Sequence, residues 1–315
     1  MNCENNINRQ VISKMLFDIS NAAVEPLKDD LFDKKQVSVS VFRLDKIHPV
    51  VSGNKLFKLH YFLQEALQSS HKTILSFGGA YSNHLAATAY ACSVLGLKSI
   101  GIVRGEEPAQ LSHTLQQCSR DGMQLKFISR NQYAGKEDTT LLHTLPDEFG
   151  EYTLVPEGGY HPLGARGAAL IMELIGNEYT HICTAMGTAS TLAGLLLGAG
   201  PSQKMTGIPV LKGTSDMEER IIHLTGYETL PANLELLHGY HFGGYAKKSG
   251  ELIQFMNQCW QQYQLPLDFV YTAKMFYAVT DRIREDHFPA GSNIICLHTG
   301  GLQGNLSLPA NTLTF

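Results

Sequence analysis

Two lysines one helical turn apart, Lys55 and Lys58, stand in the run Ser52-Gly53-Asn54-Lys55-Leu56-Phe57-Lys58-Leu59 at the start of an amphipathic helix. An amine at a helix N-terminus feels the positive end of the dipole, which disfavours its protonated form. A neutral lysine amine is a nucleophile toward aldehydes; two ordinary surface lysines are the plainer reading of the same spacing. A second run, Phe77-Gly78-Gly79-Ala80-Tyr81-Ser82-Asn83-His84, reads as a strand, a flexible turn and three polar side chains opening a helix. It offers backbone N–H groups together with Ser82, Asn83 and His84 to whatever lies above the sheet, or else it is a simple Ser/Asn N-cap. The third run is Met186-Gly187-Thr188-Ala189-Ser190-Thr191-Leu192-Ala193-Gly194. Small residues and hydroxyls at a helix start can cradle a phosphate, although close helix packing explains them as well.

Other chemistries lack their motifs. The third run is neither G-x-G-x-x-G nor a P-loop, and G-x-S-x-G and H-E-x-x-H are absent. His238 and His241 have no third ligand nearby in sequence, so no metal site is expected.

The hydrophobic pattern shows what must position these runs. Residues 37–44 alternate at period two, the mark of a strand, and Leu56, Leu59, Leu63 and Leu67 recur at helical spacing. Residues 74–77 read as a strand, followed by the Gly78-Gly79 turn and an Ala-rich helix over 83–95 stopped by Gly96. Short apolar runs at 100–103, 125–128, 154–156, 181–185, 208–211 and 293–297 are separated by stretches long enough for helices. Such alternation predicts an α/β fold with parallel strands, helical crossovers and both sheet faces covered. Ligands of such sheets bind at the carboxyl ends of strands, where the three runs lie.

Length and composition set the outer bounds. The 315 residues suit one large or two medium domains, and 25 basic against 29 acidic side chains leave a net charge of −4. Without a Lys/Arg run, nucleic acid is an improbable partner. Residues 182–203 carry no charge, but Thr184, Gly187, Thr188, Ser190 and Thr191 interrupt them and Pro201 closes them, which argues against a membrane span. The six cysteines, at 3, 92, 118, 183, 259 and 296, are scattered as in a reduced, cytoplasmic protein. The start, Met1 to Asn6, has neither a basic nor an apolar region of a secretory signal.

A lysine nucleophile, a polar helix start and a phosphate loop, each after a separate strand, are the parts a pyridoxal phosphate enzyme needs. In this order they resemble the D-cysteine desulfhydrase and 1-aminocyclopropane-1-carboxylate deaminase family, of tryptophan-synthase-β-like fold. The likeness runs over about 53–304. It includes Gly53-Asn54-Lys55 with Lys58, Gly78-Gly79 with Ser82-Asn83-His84, Pro156-Glu157-Gly158-Gly159, the run from Gly187 to Gly194, Tyr271-Thr272-Ala273-Lys274 and His298-Thr299-Gly300-Gly301. The resemblance implies two open, twisted, mostly parallel sheets with helices on both faces, the arrangement called fold type II. A smaller domain, residues 58–158, would be inserted in a larger one made of 1–57 plus 159–315.

The same resemblance implies a cofactor, pyridoxal 5'-phosphate, joined to Lys55 as a Schiff base. Lys58 and the loop Gly187, Thr188, Ala189, Ser190 and Thr191 would hold its phosphate, Asn83 its ring hydroxyl and Thr299 its ring nitrogen. Ser82 matches the serine beside the substrate carboxylate, with His84 and Thr272 at the substrate, and Tyr245 and Tyr271 match two tyrosines over the reacting carbons. Without that context, packing at a domain seam is the plainer role for the tyrosines.

Deaminase-type members look to carry Gln at His84, Glu at Thr272 and Leu at Thr299, so these positions side with desulfhydrases. A hydroxyl at the ring nitrogen makes a weaker electron sink than a carboxylate does, which suits a good leaving group. Phe57, where many relatives have Arg, departs from the pattern. The activity expected is β-elimination of D-cysteine to pyruvate, ammonia and hydrogen sulfide. Deamination of the cyclopropane amino acid to 2-oxobutanoate, dehydration of serine or threonine, and a cofactor-binding protein without turnover are the alternatives. Family members pair as homodimers, the state the resemblance implies here.

Overall fold

A computed structural model describes residues 15–48, 51 and 53–315. Ser52, Cys3 and the opening Met1 to Asn6 lie outside the described residues.

Ten strands form two sheets. The six-stranded sheet runs in the order β1 (Ala23–Leu27), β2 (Ser38–Arg43), β10 (Asn293–His298), β7 (His181–Met186), β8 (Lys204–Pro209), β9 (Leu234–Leu236). The four-stranded sheet runs β5 (Gln124–Ile128), β4 (Lys98–Arg104), β3 (Thr73–Gly78), β6 (Thr153–Val155). All pairings are parallel except β1 with β2. The strands of the small sheet are contiguous in sequence, and those of the large sheet come from both sides of them. The first main helix, α2 (Lys55–Gln68), after the short α1 (Asp30–Lys34), spans the point where the sequence places a domain boundary.

Strand alternation explains why both faces are covered. In β10, Ile294 and Cys296 point into one buried cluster, shared with Met256, Ala273 and Phe276. Ile295 and Leu297 point into the other, shared with Leu59, Ala165 and Leu192. The small sheet does the same: Ile100 and Ile102 of β4 meet Tyr133 and Leu145, while Val103 meets Leu85 and Leu115.

The helix expected over 83–95 is α3 (Asn83–Leu95), closed by Gly96 in the left-handed conformation (φ 68°). The uncharged stretch 182–203 is strand β7, a loop and helix α8 (Ser190–Gly198), the helices between being α4 (His113–Arg120), α5 (Arg130–Ala134), α6 (Thr139–Phe149) and α7 (Pro162–Ala169). Among the described residues no helix is long and apolar enough to cross a membrane.

The apolar run at 208–211 is displaced from its strand: β8 spans Lys204–Pro209, and Val210 is buried beyond its end. Two strands were not expected. Ala23–Leu27 carries Glu25 and Pro26 and lies antiparallel at the sheet edge, where proline is tolerated, and Leu234–Leu236 is three residues long. The remaining helices are α9 (Met217–Thr225), α10 (Gly250–Tyr263) and α11 (Thr272–Arg284).

Candidate active site

The carboxyl ends of β3, β4, β6, β7 and β10 converge on two adjoining chambers, of about 60 Å³ and 530 Å³. The inner one is walled by Asn54, Lys55, Lys58, Asn83, Gly158, the loop after β7 and Thr299. The outer one adds Ser82, His84, Arg104, Glu157 and Tyr245, with Lys55, Asn83, Gly187, Thr188 and Tyr271 common to both.

Lys55 opens α2 and is half-buried. Its helix start is unusual because Asn54, the cap residue, makes no capping bond with its side chain. That amide is spent elsewhere: its Oδ1 accepts from Lys55 Nζ at 2.6 Å and its Nδ2 donates to Thr191 Oγ1 at 2.6 Å. One asparagine therefore ties the lysine to the loop 187–191. Gly53 (φ 83°) permits this, since a Cβ there would collide with the Thr299 carbonyl, to which the Asn54 N–H donates. Burial pulls the Lys55 amine down to about 8, opposed by the charge of Asp268. At neutral pH about a tenth of the amine is therefore neutral, several hundred times more than for an ordinary lysine.

Lys58 is buried and donates to the Gly158 carbonyl at 3.1 Å. Burial, and then Lys55, hold it well below the ordinary lysine range. Thr188 Oγ1 bonds Ser190 Oγ at 3.0 Å, and Ala189 adopts the left-handed conformation (φ 66°) as the cap of α8 without a side-chain capping bond. The first amides of α8 thus have no partner within the helix and face the inner chamber, an arrangement suited to an anion. Ser190 braces Thr188 without lining the chamber. Packing also claims part of this run, because a Cβ at Gly194 would strike α7 at Ala165 and Ala168.

Ser82 caps α3, its Oγ accepting from Leu85 N–H at 3.2 Å. Beside it the buried Oδ1 of Asn83 and both ring nitrogens of His84 have no hydrogen-bond partner. Burial, reinforced by Lys55 and Lys58 and only partly offset by the Pro156 carbonyl, which approaches the ring without the geometry of a hydrogen bond, drives His84 down to about 3, so the ring is neutral. Buried polar groups without partners mark where a ligand would supply them.

Tyr271 and Tyr245 cross edge to face, with centroids 6.2 Å apart. Burial raises Tyr271 well above the usual phenol range, and the neighbouring Tyr245 and Asp268 raise it further. Tyr245, on a loop and 47% exposed, is raised less strongly, because Tyr271 and Arg104 favour its ionised form.

Thr272 is engaged elsewhere: its hydroxyl donates to Asp268 Oδ2 at 2.6 Å and it lines neither chamber. Asp268, fully buried, also accepts from the N–H groups of Val270, Tyr271 and Thr272 at 2.8–3.0 Å and so holds the start of α11, with Tyr271 as its cap. The sequence reading missed Asp268; an acidic residue four positions before a helix-opening Thr is the signal that could have found it. It also missed Arg104, whose place at the end of β4 is the mark of a ligand-facing residue. Phe57 is buried in the core and faces no chamber.

The fit to pyridoxal phosphate rests on three features: the Lys55 amine with its lowered pKa, the open α8 amides beside Lys58, and the unpaired Asn83 oxygen. Comparisons agree with it. Residues 29–300 match the family model described as pyridoxal-phosphate dependent enzyme. A Thermotoga maritima protein provisionally named 1-aminocyclopropane-1-carboxylate deaminase is 31% identical, over 87% of this chain and 92% of its own. The D-cysteine desulfhydrase of Yersinia enterocolitica is 24% identical, over 82% of this chain and 84% of its own. A crystal structure of an ACC deaminase homologue superposes with a TM-score of 0.77 at 26% identity, over 97% of each chain.

Proposed function

The chain belongs to the pyridoxal-phosphate dependent enzymes, and from that premise we propose that it eliminates the β-substituent of an amino acid, D-cysteine foremost, giving pyruvate, ammonia and hydrogen sulfide. Pyridoxal phosphate, when bound, supplies a carbonyl for the amino group and an electron sink for the carbanion at Cα. Lys55 would hold it covalently, Lys58 and the loop 187–191 would hold its phosphate, Asn83 its ring hydroxyl and Thr299 its ring nitrogen.

One observation carries the choice of reaction: among the described residues no carboxylate lines the inner chamber, and Thr299 brings only a hydroxyl to its wall. A hydroxyl donates to a neutral nitrogen and leaves the sink shallow, enough when the leaving group is hydrosulfide. Ser82 Oγ, which accepts from Leu85, keeps its proton for the substrate carboxylate. Freed once the substrate's amino group has displaced it, the Lys55 amine takes the Cα proton, whose bonding pair forms Cα=Cβ as the Cβ–S pair leaves with sulfur; water hydrolyses the released 2-aminoacrylate to pyruvate and ammonia. Tyr271, held protonated by burial, meets that sulfur as the proton donor.

The name of the Thermotoga relative favours a second reading, opening of 1-aminocyclopropane-1-carboxylate to 2-oxobutanoate and ammonia. The homodimer and the inserted domain 58–158 belong to the same proposal; sedimentation of the holoenzyme tests the first. Incubation with D-cysteine, L-cysteine and the cyclopropane amino acid tests the reaction. Sulfide with pyruvate from D-cysteine supports elimination; 2-oxobutanoate without sulfide replaces it with the second reading.

A further inference from the structure

The outer chamber is larger and more basic than a thiol-bearing amino acid requires. Arg104, Arg130, Lys136 and Arg220 line it against the single carboxylate of Glu157, in a chain of net charge −4. Two of these cations are answered locally: Lys136 Nζ lies 3.5 Å from Glu157, and Arg220 Nε lies 2.7 Å from Asp216. Arg130, exposed on α5, and Arg104 have no carboxylate partner among the described residues.

Arg104 is exposed too, but differs from Arg130 in being held. Its guanidinium lies over the Tyr133 ring, 5.8 Å from the centroid, and its Nη2 is 3.6 Å from where a Cβ would stand on Gly79, in the turn leading to Ser82. Its charge reaches the Tyr245 hydroxyl. A planar guanidinium, stacked on a ring, unpaired and directed at a cavity is arranged to accept an oxyanion by two parallel hydrogen bonds. In the reading above the α-carboxylate is met by Ser82, so the anion left for Arg104 is on the substrate's side chain.

We propose that the preferred substrate is an amino acid whose β-leaving group is or carries an oxyanion, a carboxylate, phosphate or sulfonate, with Arg104 as the specificity-determining residue. This rests on the elimination reading and changes its foremost substrate, D-cysteine becoming a poorer substrate of the same site.

Calorimetry on the holoenzyme with both enantiomers of aspartate and asparagine, an isosteric pair that differs in side-chain charge, tests it. Aspartate should bind about tenfold more tightly than asparagine, Arg104→Met should abolish that gap, and Arg104→Lys should keep part of it. Equal binding in the wild type, no binding of either, or a variant that weakens both ligands equally, which would put Arg104 on the α-carboxylate, overturns the proposal. Cofactor content shows whether Arg104→Met has folded; if it has not, the comparison rests on Arg104→Lys, where an undiminished gap overturns the proposal. β-Chloroalanine, offered to the same holoenzyme, separates the two layers. Pyruvate from it upholds elimination whatever the calorimetry gives, whereas its absence brings down that reading and the narrower proposal with it.

Discussion

The two sides of the site are built differently. On the side of the six-stranded sheet, the first amides of α8 apart, the polar side chains are spent internally: Asn54 on Lys55 and Thr191, Thr188 on Ser190, and Asp268 on Thr272 and three backbone amides. On the side of the four-stranded sheet the Asn83 oxygen and both His84 nitrogens are left open in buried surroundings. Closed networks fix geometry, and open groups wait for a ligand, because an unpaired buried polar group costs roughly 1–3 kcal/mol until something pairs it. The first side is a mount and the second a receptor, with Lys55 at the junction.

Breaking the junction should have the largest effect. Lys55→Ala should reduce keto-acid formation to background, measured in the sulfide and pyruvate assay. In the wild-type apoprotein, imine formation with pyridoxal phosphate should rise about tenfold per pH unit up to pH about 8 and level off above it, since the amine is nucleophilic only when neutral. A limb near the ordinary lysine value would place Lys55 in water and undo the junction.

Damage to the mount comes next. Gly53→Ala meets both a left-handed backbone and the Thr299 carbonyl, and should cost roughly 4 kcal/mol in urea unfolding together with cofactor affinity. Asp268→Ala strands the amides and hydroxyl at the start of α11 and should cost about 3 kcal/mol. Thr191→Val leaves the buried Asn54 Nδ2 unpaired, with an expected cost of about 1–2 kcal/mol and weaker cofactor binding by calorimetry.

The receptor should answer in the opposite sense. His84→Leu removes two unpaired nitrogens and should leave the apoprotein as stable or stabilise it by about 1 kcal/mol, while kcat/KM falls. Loss of stability with activity retained would make His84 part of the mount and erase the contrast.

Much of both sides was legible because it follows chain-local rules. The turn Gly78-Gly79, the helix closed by Gly96 and the lysine pair on α2 are written in spacing and residue type. Edge strand β1 was hidden by Glu25 and Pro26, and β8 by the polar start Lys204-Met205-Thr206-Gly207, since a pairing set by a neighbour leaves little periodicity. That the Thr272 hydroxyl meets Asp268 is not revealed by its residue type. Arg104 depends on Tyr133, which lies 29 positions on and meets it only once β4 and α5 are packed.

Borohydride reduction of the protein mixed with pyridoxal phosphate, followed by peptide mapping, tests the central claim most directly. The account expects one label, on Lys55. A label instead on Lys274, another buried lysine pulled down to about 8 but bonded to the His241 and Gly244 carbonyls, or no label at all, would contradict it.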